Sequence, residues 1–132
     1  MPTADRKTRK AVTLAGILLA AFVCFSPVLQ HQFTNWDDAQ YLVANPRIRS
    51  LQMDNIRTIF TSSIFRTYSP LTQLTFAIEY AIAGSQPFLY HLDNLLLHLG
   101  VVSLAFLFTR ECGLSLRAAG LTALLFALHP LH

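Results

Sequence analysis

Charged residues are scarce in this 132-residue sequence: Asp, Glu, Lys and Arg make up 13% of it, against about a quarter of an average soluble domain. The net charge of +3 lies in residues 1–10, and the other 122 residues carry six basic and six acidic groups. Since no basic face remains outside this arm, we expect no nucleic-acid partner. The 53% of hydrophobic residues argues against a disordered chain and favours an integral membrane protein.

Cysteine is also scarce. The two cysteines, Cys24 and Cys112, lie in or beside apolar runs, 88 positions apart, and no C-x-x-C is present. This excludes a disulfide framework and a cysteine-based zinc site and favours two inert thiols. The sequence has no Gly-rich phosphate loop, Walker motif or G-x-S-x-G, so we expect no organic cofactor.

The first apolar run covers residues 11–29 and carries no charge, which is long enough for a transmembrane helix. The basic arm before it, residues 1–10, predicts a cytoplasmic N-terminus by the positive-inside rule. A cleaved signal peptide is the rival interpretation, because Ala20 and Ala21 weakly resemble a cleavage site. The apolar run continues for eight residues beyond Ala21, which favours an anchor.

Residues 30–87 are expected to form an outer loop on the periplasmic or lumenal side. The apolar spacing from Leu51 to Phe60 predicts an amphipathic helix over about residues 50–62, lying on the membrane surface or packed on the protein. Pro70 and Gly84 bracket a second helix, residues 70–84. That helix is too short to span a bilayer, so we expect it at the interface.

Residues 88–109 predict a second transmembrane helix, 110–117 a cytoplasmic turn with two arginines, and 118–132 a third helix. The predicted fold is therefore an all-α, multi-pass bundle of about three transmembrane helices with interfacial helices in the first outer loop. The third span ends without polar flanking residues, so we expect a fragment of a longer protein. The short basic arm favours a bacterial inner membrane over the endoplasmic reticulum.

The sharpest local signal is Trp36-Asp37-Asp38, about seven residues past the first span. Paired carboxylates beside an aromatic suit proton abstraction from a hydroxyl, or a divalent cation. An ordinary turn or helix cap explains the same residues, and the spacing alone favours this interpretation.

A polar stripe lies on the second span. His91, Asn94 and His98 fall within about 60° of one another on a helix, so they predict either a lining for a polar substrate or hydrogen bonds between helices. His129 and His132 end the third span; the proline between them argues against a metal pair and favours imidazoles aimed into an outer pocket. Arg66 is one of four loop arginines, any of which could hold a phosphate; for a single one of them, solvation or contact with lipid headgroups is the favoured interpretation.

Several landmarks occur in an order that resembles a known family. They are Asn35-Trp36-Asp37-Asp38, Asn45-Pro46, Tyr68-Ser69-Pro70-Leu71-Thr72, Pro87-Phe88 before His91-x-x-Asn94-x-x-x-His98, and Leu125-Phe126-Ala127-Leu128-His129-Pro130-Leu131-His132. Residues 33–132 thereby resemble the N-terminal membrane part of the transmembrane-and-TPR O-mannosyltransferase-like proteins, a group of GT-C glycosyltransferases with C-terminal tetratricopeptide repeats. Ser69 stands where the family often has Arg, which leaves Arg66 as a substitute.

The resemblance implies transfer of a sugar from a polyprenyl-phosphate donor to a hydroxyl of a protein or glycan, with Asp37 or Asp38 as the catalytic carboxylate. The candidate substrate- or donor-binding residues are Trp36, Arg66, His91, Asn94, His98, His129 and His132. The alternative is a non-catalytic membrane scaffold that carries a repeat domain. In either case we expect the 132-residue chain alone to be inactive, since three spans and a loop are too few to enclose both donor and acceptor.

Overall fold

The computed structural model describes residues 2–34, 36–64 and 66–129, with side chains from residue 6 onward, apart from the two gaps. In this part of the chain the structure is all-α and contains no strand. The α-helices are α1 (Pro2–Phe25), α2 (Met53–Thr61), α3 (Pro70–Ala83), α4 (Pro87–Glu111) and α5 (Leu116–Leu128). The chain divides into a helical unit, Met1–Val28 with Asp93–His132, and a loop unit, Leu29–Leu92.

The core of the helical unit is built largely from small residues. Ala119, Ala123 and Ala127 recur at every fourth position of α5 and are fully buried, as is Ala21 of α1. Small residues at this spacing let helix backbones approach closely, which is how helices pack where lipid replaces water. At Gly120 an added Cβ would lie 3.3 Å from Thr13 Cγ2, so α1 and α5 are in close contact here.

Large apolar side chains of the helical unit point outward instead. Leu125 is 73% exposed and Phe108 69%. Soluble proteins rarely show such continuous apolar surfaces. Within the described residues, the helical segments Arg6–Gln30 and Pro87–Glu111, of 25 residues each, are long and apolar enough to cross a membrane. The first consists of α1 from Arg6 onward and the short 3₁₀ helix after it, which carries Pro27.

The helix bounds agree closely with the sequence predictions. The helices expected at 50–62, 70–84 and 88–109 are α2, α3 and α4, and the basic arm, expected as a separate segment, is part of α1. Helix α5 has 13 residues, shorter than a bilayer requires. The expected third span, 118–132, runs beyond the described residues at 130–132, so it stays a prediction.

The loop unit has its own core. Ile48, Ile59, Ala77 and Tyr90 are each at most 3% exposed, and burial of one such isoleucine contributes about 1.5–3 kcal/mol. Ile59 belongs to α2, so one face of this helix packs on the protein, while Met53 on the same helix is 79% exposed.

Helix α3 begins and ends as its sequence indicates. Pro70 occupies its first turn, where a missing backbone N–H costs nothing. It ends at Gly84, whose φ of 61° lies in the left-handed region that glycine adopts without strain. Tyr90 donates a hydrogen bond from its hydroxyl to Gly84 O at 2.9 Å, which ties the start of α4 to this turn.

Candidate functional site

The candidate site consists of Thr34 and residues 36–41 of the loop unit. Asp38 holds this turn together: its Oδ2 accepts hydrogen bonds from Thr34 N at 2.7 Å and from Thr34 Oγ1 at 3.0 Å. A carboxylate that accepts two hydrogen bonds from one residue fixes the backbone around it. The turn interpretation of the paired carboxylates therefore accounts for Asp38.

Asp37 is placed differently. Its side chain is exposed, and its backbone oxygen accepts hydrogen bonds from Gln40 N and Tyr41 N at 3.0 and 2.9 Å. Its carboxylate makes no hydrogen bond that involves the described part of the chain. Trp36, next to it, is 81% exposed. One carboxylate of the pair thus braces the turn, and the other is exposed and follows an exposed tryptophan in the sequence.

A single π-helical turn, Ala39–Val43, follows the two carboxylates, with Ala44 N bonded to Ala39 O at 2.9 Å. Such turns are rare and occur often at functional sites. Tyr41 lies within it and donates a hydrogen bond from its hydroxyl to Thr67 Oγ1 at 3.3 Å. This side chain therefore connects the carboxylate turn to the segment that contains Arg66.

Arg66 lies in a tight turn closed by the bonds Ile64 N to Thr67 O at 3.0 Å and Thr67 N to Ile64 O at 2.7 Å. Its φ of 67° is uncommon for a residue other than glycine and costs about 1–3 kcal/mol. The side chain is exposed. A strained, exposed arginine one position from the partner of Tyr41 is available to an anionic ligand.

Two other loop arginines are already engaged. Arg49 lies over the Tyr80 ring, with 4.4 Å between the guanidinium carbon and the ring centroid. Arg47 donates from Nη1 to Ser63 O at 2.9 Å. Both therefore stabilise the loop unit.

A buried amide pair fixes the backbone behind the site, and sequence reasoning missed it. Asn45 is 1% exposed and Gln73, on α3, is 4% exposed. Asn45 Nδ2 donates to Gln73 Oε1 at 2.6 Å and to Tyr41 O at 3.0 Å, while its Oδ1 accepts from Arg47 N at 3.0 Å. The Asn45-Pro46 turn signal was visible, but its partner lies 28 positions away in the sequence.

The predicted polar stripe on α4 is divided between the two units. His91 belongs to the loop unit, where its ring packs on Phe33 at 6.2 Å between centroids and its buried Nε2 has no hydrogen-bond partner among the described residues. Asn94 is exposed in the helical unit. His98 contacts Ala127 O of α5 through Nε2 at 3.0 Å, which is the hydrogen bond between helices that the sequence left open.

The remaining histidines lie at the end of α5. His129 is exposed and follows the last residue of the helix. His132 lies outside the described residues. In the part of the chain that is described, no group of three or more His, Cys, Asp or Glu side chains is arranged to hold a metal ion. A cation at Asp37 and Asp38 would take most of its ligands from water or substrate.

Comparison with known proteins gives consistent matches along the chain. It is 33% identical to human protein O-mannosyl-transferase TMTC1 over 92% of its length, and 43% identical to mouse protein O-mannosyl-transferase TMTC3 over 93%. It is 31% identical to human protein O-mannosyl-transferase TMTC4 over 85%. The chain belongs to the TMTC family.

The chain spans only a small part of these TMTC relatives: 14% of the length of human TMTC1 and of mouse TMTC3, and 18% of human TMTC4. No family model and no solved structure matches it. Membership of the TMTC family, together with two helices of spanning length, identifies a membrane protein.

Proposed function

We propose that this chain is part of a GT-C membrane glycosyltransferase that moves a sugar, a mannose by analogy with its relatives' names, from a polyprenyl-phosphate donor to a hydroxyl of a protein or glycan. One observation carries the proposal: the exposed Asp37 carboxylate on a turn braced by Asp38. A general base must be reachable by its substrate and held in place by its surroundings. Asp37 meets the first requirement through its exposed carboxylate and the second through its backbone, which the turn fixes.

In the proposed reaction, Asp37 accepts the proton of the acceptor hydroxyl. The hydroxyl oxygen forms a bond to the anomeric carbon of the sugar, on the face opposite the phosphate. The bond between this carbon and the phosphate oxygen breaks, and the polyprenyl phosphate leaves with the electron pair. This displacement inverts the configuration of the anomeric carbon.

Two further side chains are proposed to bind the donor. Arg66 is exposed in a strained turn, and a guanidinium suits a phosphate because its paired N–H groups match the phosphate oxygens. Trp36, 81% exposed, offers an aromatic face to the sugar or to the membrane interface. Tyr41 and Thr67 keep these two segments connected.

The proposed placement in the cell follows from the basic arm. Residues 1–10 on the cytoplasmic side put the loop unit on the outer face of the membrane. We further propose a bacterial inner membrane, because the basic arm is short. A C-terminal tetratricopeptide domain is proposed from the resemblance to the family.

The proposal is tested with the longest native product that contains this segment, purified in detergent. We expect it to transfer labelled mannose from polyprenyl-phosphate mannose to an acceptor peptide that contains Ser and Thr, and to do so in EDTA, because Asp37 acts as a base. Loss of transfer in EDTA with recovery in Mg²⁺ or Mn²⁺ would assign the carboxylates to a cation. Absence of transfer under both conditions favours the scaffold alternative.

A further inference from the structure

Four arginines of the helical unit meet at one end of it. Arg6 and Arg9 lie on the first turns of α1, Arg110 at the end of α4 and Arg117 at the start of α5. They line two adjoining grooves that share Arg9, Ser115 and Leu116, with volumes of about 610 and 420 Å³. Among the described residues, neither groove is lined by Asp or Glu. This end of the unit is therefore a concave, positively charged surface.

Backbone groups add to this positive field. The N-terminus of α5 borders both grooves, because its N-cap residue Ser115 lines each of them. Ser115 Oγ accepts a hydrogen bond from Ala118 N at 3.2 Å. A helix N-terminus carries about half a positive charge. Arg110 is held against the turn by a bond from Nη1 to Leu114 O, and its buried Nε has no hydrogen-bond partner among the described residues.

Two acidic residues are adjacent in sequence to these arginines, Asp5 and Glu111, and the described side chains include only that of Glu111. Glu111 follows Arg110 directly, yet it lines a different groove, together with Val101, Leu104 and Phe108. The four arginines outnumber the two acidic residues adjacent to them in sequence, Asp5 and Glu111, so the cluster carries a net positive charge, which an anion fits.

An apolar groove of about 500 Å³ adjoins the larger of the two basic grooves and follows the contact between α1 and α5. The two share Thr13, Leu116 and Arg117. Beyond these residues the apolar groove is lined by Ile17, Gly120, Leu121 and Leu124. A basic surface that adjoins an apolar groove on a membrane-spanning helix matches a molecule with an anionic head and a hydrocarbon tail.

We propose that this surface binds an anionic phospholipid, with its phosphate headgroup among Arg6, Arg9, Arg110 and Arg117 and an acyl chain in the apolar groove. Basic pockets between transmembrane helices are known to bind anionic headgroups. The site lies in the helical unit and is independent of the proposed transfer reaction, which uses residues of the loop unit.

The test measures binding of phosphatidylglycerol and phosphatidylcholine to the purified protein by native mass spectrometry. We expect a clear preference for phosphatidylglycerol. The double variant Arg9→Gln with Arg117→Gln is expected to weaken phosphatidylglycerol binding by about 25-fold, since each basic residue near anionic lipid contributes about fivefold. Replacement of both arginines by Lys, which keeps the charge, is expected to retain most of the binding.

The matched control is Lys7→Gln with Lys10→Gln. It removes the same amount of charge, here from two positions of α1 beside Arg6 and Arg9, but neither lysine lines the grooves. We expect this control to keep binding within about twofold, because a charge that does not line the grooves cannot contact the phosphate directly and its remaining attraction is weakened by salt. An equal loss in the control would reduce the effect to general electrostatics and overturn the site.

Three other results would also overturn the proposal. Equal binding of phosphatidylcholine would remove the role of the headgroup charge. Competition by inorganic phosphate alone, or equal binding of a short-chain phosphatidylglycerol, would assign the grooves to a free anion. Displacement of phosphatidylglycerol by a much lower concentration of polyprenyl phosphate would make the site part of donor binding.

Discussion

Replacement of Asp37 by Asn is expected to slow sugar transfer by about 10²–10⁴-fold, the range typical of a lost general base. The amide keeps the size of the side chain but cannot take a proton from the acceptor. Because the carboxylate is exposed and makes no hydrogen bond with the described residues, the free energy of unfolding should stay within about 0.5 kcal/mol of wild type. The rate is measured with saturating polyprenyl-phosphate mannose and acceptor peptide.

Asp38→Asn is the matched control for this prediction. The amide oxygen can still accept from Thr34 N and Thr34 Oγ1, which at present bond to Asp38 Oδ2. The turn is kept with weaker bonds, since a charged acceptor contributes about 1.5–3 kcal/mol and a neutral one about 1 kcal/mol. We expect a rate loss of about tenfold or less. A wild-type rate for Asp37→Asn, or a larger loss at Asp38, would contradict the assigned roles.

Asn45→Ala is expected to lower the free energy of unfolding of the loop unit by about 2–4 kcal/mol. The substitution removes two donated bonds and one accepted bond and leaves the buried Gln73 side chain without its amide partner. A buried polar group without a partner keeps its full desolvation cost. The effect is measured as faster hydrogen exchange of the amides of residues 41–49 and of α3.

Asn55→Ala gives the comparison for Asn45. Asn55 also donates from its side chain, to Arg47 O and Ser50 O, but at 3.3 Å and from a half-buried position. We expect a loss of about 1 kcal/mol or less, because longer bonds near solvent contribute less. If the two variants destabilise equally, the Asn45–Gln73 pair is not the stabilising contact that we infer.

The helices of this chain could be predicted because their signals are local. Pro70 and Gly84 mark the two ends of α3, and the structure confirms both. The charge-free run of the first span and the apolar run of α4 needed only length and composition. Which face of α5 is buried could not be predicted in this way, since Ala, Leu and Phe occur on all sides of this helix. The contact with α1 determines that its alanines are the buried residues.

The site was predictable only as a set of candidates. The sequence presents Asp37 and Asp38 as equivalent neighbours, and only the bonds from Thr34 distinguish them. The bond from Tyr41 to Thr67 joins positions 26 apart, and that from Asn45 to Gln73 joins positions 28 apart. Such pairings depend on how the segments pack, and no pattern of spacing or composition reports them.

The most direct measurement is photocrosslinking of a polyprenyl-phosphate mannose analogue, with the labelled peptides identified by mass spectrometry. The proposed site predicts labels on residues 36–41 and 66–68, which the Tyr41–Thr67 bond connects, and weaker labelling in Arg66→Gln. Excess unlabelled donor should remove these labels. Labels confined to the helical unit, or labelling of the loop unit that excess donor does not reduce, would contradict a donor site beside Asp37.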